Sequence, residues 1–114
     1  MKTKAELEKL VKKHLTKKGF LNWAQAKNDG VILGYSNDCD QCPISNYMSE
    51  KAGQLTTVTS GEVGFEYEHL YCNLPSWAIK LIWRIDALSE SDDRGDGCAV
   101  YKDDVETFLG SVII

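Results

Sequence analysis

Along most of this chain apolar residues recur three or four positions apart, and in one stretch they alternate with polar ones. Leu7, Leu10, Val11 and Leu15 mark one face of a first helix, opened by Thr3-Lys4-Ala5-Glu6 at capping-box spacing and closed at Gly19. Phe20, Leu21, Trp23 and Ala26 predict a short helical continuation that ends at the turn signal Asn28-Asp29-Gly30. Val31-Ile32-Leu33 reads as a short strand before Gly34. Pro43 suits the first turn of a helix, where a missing N–H costs nothing; Ile44, Tyr47, Met48 and Lys51 follow at helical spacing, and Gly53 supplies the stop.

Leu55 to Thr59 is rich in β-branched residues, Ser60-Gly61 is a turn, and Glu62 to Glu68 alternates with period two. This predicts a hairpin near 55–68 with one acidic, wet face and one buried face. Pro75 opens a longer helix whose stripe is Trp77, Ala78, Leu81, Ile82, Ile85 and Leu88. Ser89 to Gly97 reads as a polar loop, Ala99-Val100-Tyr101 as a short strand, and Asp103 or Asp104 as the cap of a last helix carrying Val105, Phe108 and Leu109. The expectation is one α+β domain over 1–114, about four helices packed on a small antiparallel sheet.

A chain of 114 residues suits one hydrophobic core, and 43% hydrophobic with 26% charged residues is ordinary for a globular protein. No apolar run reaches the roughly 20 residues that cross a bilayer, and the lysine-rich start lacks the apolar centre of a signal peptide. A cytoplasmic location is therefore expected, with no membrane partner. Charge is unevenly spread. Residues 1–18 carry seven lysines against Glu6 and Glu8, a net +5, while residues 19–114 carry six basic and fifteen acidic side chains, a net −9. So acidic a body argues against nucleic acid as the main partner.

Candidate chemistry centres on Cys39-Asp40-Gln41-Cys42-Pro43. Cys42 falls at or near the N-cap of the Pro43 helix, where unpaired N–H groups and the helix dipole favour a thiolate, which makes it the candidate reactive thiol. The same two cysteines also suit packing, since free cysteine is among the most buried residue types. Cys39 and Cys42 with His69 and Cys72 form two Cys/His knuckles, a ligand set that could close a structural zinc tetrahedron; otherwise no cofactor is expected. A redox dithiol fits less well, because Asp38 and Asp40 would oppose thiolate formation. Asp92, Asp96 and Asp103 match part of a calcium loop, with Arg94 standing where an oxygen ligand belongs. Neither His14 nor His69 has a triad-like neighbourhood, and no glycine-rich phosphate loop occurs.

Two pieces, Cys42-Pro43-Ile44-Ser45-Asn46-Tyr47-Met48 and Leu74-Pro75-Ser76-Trp77-Ala78 running on to Ile85-Asp86, resemble small uncharacterised proteins of bacteria and their phages. Those proteins carry a Cys-Pro-aliphatic-small-x-Tyr-Leu helix and a later Leu-Pro-x-Trp helix ending near Ile-Asp. The resemblance covers residues 38–88, implies the same α+β fold, and brings no activity with it. Its Cys-Pro element does not require a second cysteine three residues earlier, which weighs against the zinc and dithiol readings.

The leading reading is a small accessory protein that acts through contacts, without catalysis, on an unidentified protein partner or on a second copy of itself as a homodimer; a zinc-stabilised domain built on Cys39, Cys42, His69 and Cys72 is the alternative, and a thiol-dependent enzyme or redox protein centred on Cys42 the third. Trp83 lies off its helix's apolar stripe, and the chain ends in Val112-Ile113-Ile114. These four residues are the candidate interaction surface.

Overall fold

The computed structural model describes residues 3–28, 30–36, 40–59, 61–65, 69–91 and 99–112. Within them the chain forms α1 (Lys4–His14), α2 (Lys17–Gln25), β1 (Ile32–Tyr35), α3 (Pro43–Ala52), β2 (Thr57–Thr59), β3 (Glu62–Phe65), β4 (Leu70–Asn73), α4 (Ser76–Ser91), β5 (Ala99–Tyr101) and α5 (Lys102–Val112). The class is α+β as expected, with five helices where about four were anticipated and two small antiparallel sheets in place of one.

The first two helices are separate because Thr16 intervenes. Helix α1 opens on the anticipated capping box, the Thr3 side chain accepting from Glu6 N and the Glu6 carboxylate from Thr3 N. It stops at His14, not at Gly19. Thr16 then caps α2, its hydroxyl accepting from Gly19 N at 3.0 Å, so Gly19 lies inside the next helix's first turn.

The expected hairpin is present as β2–β3, with Val58 opposite Val63, and β4 adds a third strand in the order β2-β3-β4. Val58, Val63 and Phe65 are buried, as the period-two reading requires. Gly64 is buried too. A Cβ there would lie 1.9 Å from Leu70 O, so only glycine lets β4 approach this closely. The second sheet pairs β1 with β5, with a register shift between Ile32 and Gly34.

One core joins these elements: Leu7, Val11 and Phe20 from α1 and α2, Ile44, Tyr47 and Met48 from α3, Ala78, Leu81 and Ile85 from α4, and Val105 and Leu109 from α5. Helix α4 runs on to Ser91, past Ser89 where a loop was expected, and Asp104 accepts from Tyr101 N at 3.0 Å at the start of α5. No described helix is long and apolar enough to cross a membrane.

Candidate functional site

The Cys-Pro stretch opens α3 as the sequence suggests. Cys42 has extended backbone angles, Pro43 takes the first helical position, and the Cys42 Sγ accepts from Ser45 N at 3.4 Å. The thiol is therefore an N-cap, and it is 5% exposed. Around it the polar groups are engaged. The buried Ser45 hydroxyl lies 2.7 Å from Asp40 O and 2.8 Å from Thr56 O. Thr56 returns a bond from its hydroxyl to Ser45 O, and its N–H donates to Ser49 Oγ. Asn46 Nδ2 donates to Leu33 O, Tyr35 N donates to Gln41 O, and Thr57 donates to the Asp40 carboxylate. This knot ties β1, α3 and β2 together, and its buried members, the Ser45 and Thr56 hydroxyls with the carbonyls they reach, would be costly to leave unpaired.

His69 is exposed in the turn before β4 with a left-handed backbone (φ 52), while Cys72 is buried within β4. Cys72 borders a cleft of about 210 Å³ lined also by Lys4, Glu8 and Val11 of α1 and by Glu62. Burial, and then the Glu8 carboxylate, push its thiol pKa up. Among the described residues no group of three or more His, Cys, Asp or Glu side chains could hold a metal ion, so Cys42, His69 and Cys72 are not brought together as one. The fourth member of that set, Cys39, lies outside the described residues, as do Asp92 to Gly97 of the calcium reading.

Both described cysteines should resist alkylation. Iodoacetamide at about pH 8, below the ordinary thiol range of about 8.5, is expected to leave Cys42 and Cys72 unmodified in the native protein and to label both in guanidinium. Peptide mapping by mass spectrometry checks this, and fast native labelling of Cys42 would revive it as a reactive thiol.

Trp83 is the conspicuous surface residue, with 68% of its area exposed. The buried stripe of α4 is Ala78, Leu81 and Ile85, and at 100° per residue Trp83 points roughly 170° from its centre. It shares the outward face with Ser76, Lys80 and Ala87, and half-buried Ile79 stands one turn before it. Val112 closes α5, but its side chain, with Ile113 and Ile114, lies outside the described residues.

One arrangement had no counterpart in the sequence reading. Trp23 of α2 donates its indole N–H to Glu50 of α3 at 2.8 Å, and Lys27 sits 5.0 Å above the same ring and 3.6 Å from Glu50. These three line a cleft of about 330 Å³ with Val31 to Leu33 and Asn46. Its two charges already neutralise each other. No local pattern reveals it, because Trp23 and Glu50 meet only through the packing of α2 on α3.

Compared with protein-family models, with curated proteins and with solved structures, the chain matches none of them.

Proposed function

We propose that this chain is a non-catalytic accessory protein that docks another protein through the outward face of α4. The observation that carries this reading is Trp83, a large aromatic side chain directed away from its own core with 68% of its surface in water. Tryptophan is among the residues most often found to dominate binding energy, because it offers a large rigid apolar area at little entropic cost. Ile79 extends the apolar contact, and Lys80 and Arg84 supply a charged rim. The thiols support the same reading from the other side, since Cys42 and Cys72 are spent on capping and packing.

A photo-crosslinking amino acid placed at position 83 tests the proposal, with the exposed position 55 as control. The expected result is a discrete crosslinked species in host lysate from position 83 alone. The identified partner should then bind Trp83→Ala at least about thirtyfold more weakly, the equivalent of a 2 kcal/mol anchor, with an unchanged circular dichroism spectrum. A crosslinked dimer would make the partner a second copy of the chain. A chain that stays monomeric at high concentration, with position 83 capturing no more than position 55, overturns the reading.

A further inference from the structure

The lysines that the sequence concentrates in its first 18 residues do not stay on one helix face. Lys9, Lys12 and Lys13 are exposed along the last turns of α1, Lys17 and Lys18 open α2, and Lys51 is exposed in the last turn of α3. Tyr47 of α3 touches both other helices there: its hydroxyl donates to His14 O at the end of α1 and its ring meets Phe20 of α2, while Lys51 Nζ lies 5.6 Å from the same ring. His14 lies half-buried in the middle. Its pKa is held below the ordinary imidazole value by burial and by the ammonium groups of Lys13 and Lys51, two helices acting on one junction.

Lys12, Lys13 and Lys51 lie in last turns that favour cations, but two observations set the rest of this charge, Lys17 and Lys18 above all, apart from the needs of the fold. Among the described residues none of these six lysines forms an ion pair, whereas Lys27 and Glu50 do. Lys17 and Lys18 also occupy the first turn of α2, which holds no acidic residue. That is the positive end of the helix dipole, where a carboxylate would stabilise by about 0.3–1 kcal/mol and a lysine does the reverse. Local conflicts of this kind collect where a surface serves something other than folding.

We propose that this lysine face, spanning the α1–α2 junction and the end of α3, docks an acidic protein segment, a run of Asp and Glu carboxylates. The charge distribution favours a short acidic segment over a nucleic acid. Residues 19–114 carry a net −9, so a long polyanion that overruns the patch meets repulsion, while a short segment ends within it. The face contains no arginine fork for phosphate, and Tyr47 beneath it is buried and offers no ring for a base to stack on. A lipid surface gains little, since the apolar stripe of α1, Leu7 and Val11, is buried in the core and cannot insert. The surface is distinct from the Trp83 face, so either can fail without the other.

The full chain is titrated by fluorescence anisotropy against a labelled peptide of about ten alternating Asp and Glu residues, a labelled single-stranded oligonucleotide of about 20 bases, and vesicles containing phosphatidylserine. At low salt the peptide is expected to bind most tightly of the three, and to weaken by about tenfold or more as salt rises from about 0.05 to 0.3 M and shortens the screening length. Lys13→Glu/Lys18→Glu/Lys51→Glu should weaken it by at least about tenfold and the matching glutamine triple by less, both folded by circular dichroism, while Lys80→Glu/Arg84→Glu on α4 changes it less than about twofold. Absence of peptide binding at low salt, an equal loss in the α4 control, or tighter binding of the oligonucleotide or the vesicles overturns the proposal.

Discussion

Gly34→Ala is expected to cost about 3 kcal/mol or more of stability, read as a lower urea midpoint at unchanged slope. A Cβ at position 34 would lie 2.5 Å from Gln41 O, 2.6 Å from Pro43 N and 2.7 Å from the Cys42 carbonyl carbon. All three are backbone atoms, so no side-chain rotamer relieves the overlap. The first turn of α3 has to move away from β1. That movement takes with it the bond from Tyr35 N to Gln41 O and the one from Asn46 Nδ2 to Leu33 O, each 2.8 Å long. Each is worth about 1 kcal/mol and leaves a partly buried polar group unpaired when lost. The bulge that shifts the β1–β5 register falls at this glycine as well, so the second sheet is strained with the helix. The effect should show in labelling too: a variant that loosens the α3 start exposes Cys42 to iodoacetamide. A loss below about 1 kcal/mol, with Cys42 still protected, would mean that β1 and α3 are not in the close contact described.

Much of the fold was legible because its signals are local. The capping box at Thr3 and Glu6, proline at the start of α3, Gly53 at its end, and the Ala78, Leu81 and Ile85 part of the α4 stripe each involve residues within a few positions of one another, and each is realised, while the Leu88 side chain lies outside the described residues. The misreadings have equally physical causes. Gly19 resembles a stop, yet Thr16 three residues earlier is a better N-cap, so the helix ends sooner and a new one begins. Strand β4 was not anticipated because Leu70-Tyr71-Cys72 shows no alternation; it is covered by β3 on one edge and by α1 on a face. The partnership of β1 with β5 is a long-range choice that no local pattern encodes.

The candidate surfaces divide in the same way. Trp83 could be found from the helix period alone, since a residue off a well-defined stripe faces solvent wherever the helix packs. The lysine excess was also countable, but its meaning changes with folding. Lys51 joins it from a distant segment, and the break between α1 and α2 turns two lysines expected in the last turn of one helix into lysines at the N-terminus of the next. Cys42 illustrates the reverse case. Its N-cap position was correctly anticipated, and position alone favoured reactivity; burial and the surrounding hydrogen bonds, which only the fold supplies, weigh the other way, and native alkylation decides between them.

Phe20→Ala is expected to be the most damaging core truncation outside the sheets, costing about 3–5 kcal/mol, whereas Phe20→Leu should recover well over half of that loss. Phe20 is fully buried where α2, α3 and α4 converge. Its ring meets Tyr47 edge-on at 5.4 Å between centroids, and lies 5.5 Å from Trp23 and 5.9 Å from Trp77. Truncation removes the apolar area and leaves a cavity that rigid aromatic neighbours close poorly. Leucine restores most of the volume but not the edge-on contact with Tyr47, worth about 0.5–1.5 kcal/mol. Thermal unfolding followed by near-ultraviolet circular dichroism reads both stability and the aromatic environment. The contrast between the two variants also bears on the lysine face. Tyr47 links this cluster to His14 and Lys51, so Phe20→Ala should weaken acidic-peptide binding by loosening the junction, while Phe20→Leu leaves it nearly intact. Equal stability losses in the two variants would show that the ring contacts, and not the filled volume, carry the cost, whereas a Phe20→Ala loss below about 1 kcal/mol would remove the cluster as the element that holds α2, α3 and α4 together.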